Sequence, residues 1–274
     1  MPRSAILNVI VNAAVKAGRG LARDFGEVEN LQVSVKGPGD FVSIADKRAE
    51  EILQRELERA RPTYGFLGEE SKEIVGSDGQ HRWIVDPLDG TTNFLHGLPY
   101  FCVSIGLERQ MAGGPQIVAG VVYNPVTNEL FEAERGGGAF LNDRRLRVSG
   151  RRDLGECVIG MGMPSVARGD MTTFRNETDI VLPRVAATRR MGASALDLAY
   201  VAAGRMDGYW DYGLKPWDLA AGMLLVREAG GTVSDDRDRD RALQTGNVIA
   251  ANEPIHKALV KLLEEGRKRS TAKA

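Results

Sequence analysis

The spacing of apolar residues divides the chain into helical and extended stretches. Over 4–25, "SAILNVIVNAAVKAGRGLARDF" repeats apolar positions every three or four residues, which predicts an amphipathic helix ended near Gly26. "LQVSVKGPGDFVSIAD" (31–46) reads as a strand, a Gly/Pro loop and a short strand. A second helix is expected from Asp46, with Ala49, Ile52, Leu53, Leu57 and Ala60 at helical spacing and Pro62 as its stop. "YGFLGEES" and "HRWIVDPLDG" each carry an apolar run into acidic residues. "FCVSIGLER", "QIVAGVVYNP", "NELFEAER" and "GAFLNDRRLRVS" follow as four strand-like runs with short turns. Such turns suit antiparallel hairpins, because a parallel crossover needs a dozen or more residues.

The second half opens with a strand around "ECVIGMGMP", then a helix near 169–182 and a short strand at "VAATRRM". "SALDLAYVAAG" and "LAAGMLLVREAGG" read as helices, the latter buried and closed by glycines, with "DGYWDYG" between them as strand or turn. "GTVSD" and "VIAAN" are late strands, and "EPIHKALVKLLEEG" is the last helix. Helices mix with hairpins and no strict βαβ alternation appears, so the expected class is α+β in layers. The halves, about 1–150 and 151–274, are expected to share one core within a single domain. Asp235 to Arg241 reads as a charged turn.

Composition changes this picture little. The chain has 274 residues, 43% hydrophobic and 27% charged, which is ample for a large core. Its 36 basic and 37 acidic residues give a net charge of −1, so no global field favours nucleic acid. "DRRLRVSGRR" (143–152) and the tail "EEGRKRSTAKA" are locally basic and read as solvated surface, the tail as frayed. Cys102 and Cys157 lie far apart without a CxxC, which points to a reduced, cytoplasmic setting. Asn8 and Asn12 interrupt the N-terminal apolar run, and no run of 18 apolar residues occurs, so no membrane span is expected. His81, His96 and His256 show no ligand spacing.

The candidate chemistry lies in acids at element boundaries. Asp46 opens a helix, Glu69 and Glu70 follow "YGFL", Asp86 and Asp89 follow "WIV", and Asp218 precedes a buried helix. Taken singly, Asp46 and Asp218 suit helix N-caps, and Asp86 and Asp89 suit turns around Pro87 and Gly90. Taken together they suggest something else. Two unit charges about 4 Å apart repel by roughly 4 kcal/mol at an effective dielectric of about 20. If Glu69, Asp86, Asp89 and Asp218 converge, they cannot all stay ionised without cations. All-oxygen ligation selects hard ions, Mg²⁺ first and Mn²⁺ second, and disfavours zinc.

"GEES" (68–71), "WIVDPLDGTTNF" (83–94) and "PWDLAAG" (216–222), with "GDFVSIAD" upstream and "VREAGG" (226–231) downstream, resemble the inositol monophosphatase family over nearly the whole chain, in its bacterial inositol-1-monophosphatase branch. The resemblance implies a layered α-β-α-β-α sugar-phosphatase-like fold with largely antiparallel sheets. It also implies a Mg²⁺-dependent phosphomonoesterase that releases phosphate from inositol monophosphate by attack of activated water. Glu69, Asp86 and the Leu88 carbonyl would hold one ion, and Asp86, Asp89 and Asp218 a second. Glu69 would also serve a weaker third ion through water. Thr91, paired with Asp46, would activate the attacking water, making Thr91, Asp46 and Glu69 the catalytic set. Gly90, Thr91 and Thr92 amides would bind phosphate oxygens. Gly192, Ala193 and Ser194 match a substrate loop, Asp211 an acidic ligand for a sugar hydroxyl, and Lys36 a loop that folds over the phosphate. Family traits add lithium sensitivity and a homodimer.

Departures bear on substrate identity. Asp211 stands where many inositol-specific members carry glutamate, and "GMGMPSVARGD" (160–170) and Ser194 also differ from the animal enzymes. Fructose 1,6-bisphosphate, 3′-phosphoadenosine nucleotides and histidinol phosphate are the alternative substrates. "DPLDGTT" has a superficial likeness to the DxDGT loop of aspartyl-phosphate phosphatases, but its aspartates are three residues apart rather than two. A second, non-catalytic role in transcription or ribosomal RNA processing is the remaining alternative, with Arg144 to Arg152 as its candidate surface. "GMG" (160–162) lacks the third glycine of a dinucleotide loop.

Overall fold

A computed structural model of the chain describes residues 3–27, 33–37, 40–164 and 170–271. The elements run α1 (Ala5–Phe25), β1 (Val33–Gly37), β2 (Asp40–Ser43), α2 (Ile44–Ala60), β3 (Gly65–Gly68), β4 (His81–Asp89), α3 (Thr91–Leu95), β5 (Cys102–Met111) and β6 (Gly114–Asn124). They continue with β7 (Glu129–Glu134), β8 (Gly138–Leu141), β9 (Arg144–Arg145), β10 (Val158–Met161), α4 (Met171–Val181), β11 (Ala187–Arg189) and α5 (Ser194–Ala202). β12 (Gly208–Asp211), α6 (Pro216–Glu228), β13 (Thr232–Ser234), α7 (Ala242–Thr245), β14 (Val248–Ala251) and α8 (Glu253–Thr271) complete the chain.

Among the described residues, two large sheets and three helical layers result, with β1 and β2 paired in a separate two-stranded sheet. A seven-stranded sheet, β3-β4-β5-β6-β7-β8-β9, carries α1 and α2 on one face and α6 on the other. A five-stranded sheet, β11-β10-β12-β14-β13, meets α5 and α6 on its inner face and α8 outside, with α4 packed on α8. The α-β-α-β-α arrangement explains the long apolar strand runs. β5 has helices on both faces, so Cys102 to Glu108 are buried without alternation. The central helices can lie this close because two strand positions carry no side chain. A Cβ at Gly106 would sit 2.8 Å from the Ala220 Cβ, and one at Gly120 would sit 3.0 Å from the Ala221 Cα.

The expected α+β class holds, and most pairings are antiparallel. Three are parallel: β3 with β4, β10 with β11, and β10 with β12. α1 is long and apolar enough to cross a membrane by length and composition, yet it is amphipathic. Its apolar face (Ile10, Ala13, Ala14, Ala17, Leu21) is buried, and the helix packs on α2 and β6. The expected fraying of the tail does not occur over the described residues, where α8 runs to Thr271. Arg267 explains this: its guanidinium donates to the buried Glu177 carboxylate at 3.1 Å and to the Asp236 carbonyl at 2.7 Å. In the charged turn, Asp235 is fully buried and accepts from the backbone N–H groups of Arg237 and Arg239 and from the Arg239 side chain.

Candidate active site

The spacing of Asp86 and Asp89 is resolved by a bulge in β4. Residues three apart on a regular strand face opposite sides of the sheet. Here Asp86 pairs with Ser104 and Asp89 with Cys102, so three steps on β4 oppose two on β5. The extra residue turns both carboxylates to one side. Within the bulge the Leu88 N–H donates to Asp86 Oδ1 at 2.9 Å. Gly90 then adopts φ +93°, and a Cβ there would lie 3.0 Å from the Tyr100 carbonyl oxygen. Only glycine turns the chain tightly enough for α3 to start at Thr91.

Three helices aim their first turns at this bulge. In α2, Asp46 is buried at the third position of a helix that starts at Ile44, so it lies in the first turn and is not the N-cap that its position taken singly suggested. The Thr91 hydroxyl lies 3.1 Å from both Asp46 Oδ1 and the Leu88 carbonyl oxygen. In α5, the Ala195 N–H donates to Asp89 Oδ2 at 2.7 Å, so Asp89 caps a helix far along the chain. In α6, Asp218 lies at the third position, not the cap, and accepts from the Lys215 N–H at 2.8 Å. Ser104 fastens α6 to β5 by donating to the Trp217 carbonyl at 3.1 Å.

Asp86, Asp89 and Asp218 each place a carboxylate oxygen within 4.8 Å of the others. Burial, then the charges of Glu69, Asp89 and Asp218, push the Asp86 carboxyl well above the usual range. Burial and Asp218 push Asp89 up to about 8, against the lowering effect of the Ala195 N–H. Glu69, half-buried just past β3, adds to both shifts. Burial and mutual repulsion disfavour the ionised forms of these acids, and a bound cation would offset both. An all-carboxylate set this close fits a hard divalent ion.

Of the remaining expected residues, Gly192 to Ser194, Thr92 and Asp211 lie on segments around the cluster. Gly192 takes φ +87°, and Ala193 caps α5, which starts at Ser194. Thr92 is exposed on α3. Asp211 closes β12, where burial raises its pKa to about 6. Both its oxygens are engaged, one by the Tyr209 hydroxyl at 2.8 Å and one by the Tyr212 N–H at 2.7 Å. Lys36 lies on β1, and its side chain lies outside the described residues, as do 165–169.

Several residues near the site escaped the sequence reading. Glu50, one helical turn after Asp46 on the same face, accepts from the Glu70 N–H at 2.8 Å and backs the Glu69 turn. That i, i+4 spacing was the available signal. Cys102 is buried with its sulfur 3.7 Å from Asp89 Oδ2. Asp197 on α5 accepts from the Tyr100 hydroxyl at 2.7 Å, a long-range pairing with no local signal. Two of the histidines have partners of their own: His81 hydrogen-bonds Asp78, and His256 is buried beside the Ser234 hydroxyl.

A sequence profile described as the inositol monophosphatase family matches residues 3–268. The chain is 62% identical over 265 residues to an inositol-1-monophosphatase of Mesorhizobium japonicum, covering 97% of this chain and 98% of that one. It is 45% identical to the Nus factor SuhB of Escherichia coli, over 93% of this chain and 94% of that one. The crystal structure of the extragenic suppressor protein suhB from Bartonella henselae superposes with a TM-score of 0.92 at 58% identity, covering 96% of this chain and all of that one. The profile spans the elements that carry every acid of the cluster, from Asp46 to Asp218, and on that match the chain belongs to the inositol monophosphatase family.

Proposed function

We propose that the chain is a Mg²⁺-dependent phosphomonoesterase that releases phosphate from inositol monophosphate by direct attack of water. One observation carries the reading: Asp86, Asp89 and Asp218 converge beside the Thr91–Asp46 pair. Those acids, with Glu69 and the Leu88 carbonyl, would hold divalent ions, whose chemistry when bound would be positive charge against the phosphoryl oxygens and a more acidic water. Oxygen ligands and a small polyanionic site favour Mg²⁺, with Mn²⁺ as substitute.

The chain's own groups would do the rest. The Thr91 hydroxyl has one proton and two acceptors at equal distance. With that proton directed to Asp46, its oxygen is left to accept from an incoming water and orient it toward phosphorus. The Gly90–Thr92 amides would meet phosphoryl oxygens as charge builds there. Ser194 and Asp211 would face the polyol. Because Asp211 is tied back by Tyr209 and Tyr212, its hold on a hydroxyl is short, which favours tolerance among small polyol phosphates.

Phosphate release across a panel of inositol 1-phosphate, fructose 1,6-bisphosphate, 3′-phosphoadenosine nucleotide and histidinol phosphate checks this, with and without Mg²⁺. Inositol 1-phosphate with Mg²⁺ should turn over fastest, and activity without the metal should vanish. Metal-independent turnover, or none on any sugar phosphate, would overturn the reading. A contact with transcription proteins is a second reading, favoured by the name of the Escherichia coli relative and by exposed Arg144 and Arg145. Immobilised chain that retains no transcription protein would count against it.

A further inference from the structure

We propose that Asn93 is a positioning residue that fixes the polyol side of the site by clamping the 191–194 loop against the Gly90–Thr92 turn. The inference rests on the phosphatase reading above. Asn93 is buried within α3, and its side-chain amide nitrogen donates to two backbone carbonyls, Tyr100 at 2.7 Å and Met191 at 2.8 Å. Both amide protons are therefore committed, and each ends on a different chain segment. One segment leads into β5 beside the metal-site bulge. The other is the loop that leads into α5.

The surrounding backbone leaves little slack. Gly192 turns at φ +87° directly over the amide, where a Cβ would lie 3.4 Å from Asn93 Nδ2. A Cβ at Gly90 would lie 3.0 Å from the Tyr100 carbonyl oxygen and 3.1 Å from the Ala193 Cβ. Gly90, Tyr100, Asn93 and the 191–193 backbone thus form one contact, and the amide is its hinge pin. Asparagine is specified by chemistry as well as size. Aspartate would set an oxygen against two carbonyl oxygens, and alanine would leave both carbonyls buried and unpaired.

The clamp grips the loop ahead of α5 at the Met191 carbonyl, whereas Asp89 is anchored in the first turn of α5, by the Ala195 N–H at 2.7 Å and by the Ser194 N–H. Loss of Asn93 should therefore loosen the loop that faces the polyol while the carboxylate cluster keeps its place. Misplacement of a substrate-positioning loop by about 1 Å can cost on the order of a hundredfold.

The test uses full-length Asn93→Ala and Asn93→Ser with saturating Mg²⁺. Steady-state kinetics are measured on inositol 1-phosphate and on p-nitrophenyl phosphate, which lacks a polyol. Three readings are expected. KM for inositol 1-phosphate rises about tenfold or more with kcat changed less than about threefold, while kcat/KM for p-nitrophenyl phosphate stays within about threefold. The rise in melting temperature caused by Mg²⁺ matches the parent. Amide exchange over 191–194 accelerates by about tenfold or more. Equal losses on both substrates, no loss on either, or unchanged exchange would overturn the clamp. Should Asn93→Ala not fold, Asn93→Ser keeps one donor and carries the same comparison. If the parent hydrolyses no phosphate ester, the phosphatase reading fails, and the exchange measurement still decides the clamp.

Discussion

Asp89→Asn should lower phosphate release from inositol 1-phosphate by about a thousandfold or more while leaving the fold intact, since it removes charge from the centre of the site where the phosphoryl group must be stabilised. The amide keeps the shape of the carboxylate, and its oxygen can still accept from the Ala195 N–H that Asp89 now caps. The fold has no reason to suffer. Burial and Asp218 already push the Asp89 carboxyl up to about 8, so in the metal-free protein it is largely neutral near pH 7. A neutral substitute therefore spares the metal-free fold the buried proton that Asp89 must hold, and its stability relative to the parent should grow from the ordinary carboxylate range up to about pH 8, where the advantage levels off. Phosphate release and urea unfolding, measured together, separate the two effects. Turnover equal to the parent would remove Asp89 from the site. Loss of cooperative unfolding would make it a structural cap and nothing more.

The same aspartate shows what the sequence could and could not yield. The element boundaries were legible because burial follows period: α5, α6 and β14 fall where their apolar spacing places them. The motif "WIVDPLDGTTNF" was legible as a break in the strand because Pro87 and Gly90 punctuate a run that should otherwise be plain strand. The bulge was not. It depends on a one-residue slip against β5, and register is set by a partner strand that local pattern does not identify. Nor could the parallel pairing of β10 with β11 and β12 be read, since the strands that meet are separated by whole helices. Asp46 and Asp218 looked like N-caps and are not. Each sits inside its helix, where the side chain can face the site. Capping statistics describe helix ends in general, and tertiary demands moved these two by a residue or more. Asn93 lies inside the quoted motif, yet its partners are carbonyls of Tyr100 and Met191, which no helical or strand spacing connects to it.

Stripping the metal should make stability fall as pH rises, a reversal of the usual behaviour of acidic groups. A carboxylate held by ion pairs has a depressed pKa and stabilises the fold at higher pH. Here the shifts run the other way. Asp86 is raised well above the usual range by burial and by Glu69, Asp89 and Asp218, and Asp89 is raised to about 8. Asp211 at about 6 and Glu177 at about 7, both raised chiefly by burial, add in the same direction. Between the ordinary carboxylate range and these raised values the folded chain binds more protons than the unfolded chain. Its stability is then greatest below about pH 4 to 5 as far as these groups are concerned, and it declines toward pH 8 at up to about 1.4 kcal/mol per pH unit for each excess proton. Mg²⁺ bound as proposed would substitute for the protons at the cluster, so binding should release them and strengthen as pH rises. In thermal unfolding with EDTA or with saturating Mg²⁺, the metal-induced rise in melting temperature should be small near about pH 6 and large near about pH 8.5. Asp89→Asn should flatten part of the metal-free decline, whereas Glu177 and Asp211 keep theirs in both conditions. A metal-free protein whose stability is level or rises across that window, or a Mg²⁺ effect independent of pH, would mean that the three aspartates are not the groups that take up the ion. Because Glu177 and Asp211 contribute to both slopes, the difference between the EDTA and Mg²⁺ slopes reports protonation of the cluster itself and tests the metal site without reference to any substrate.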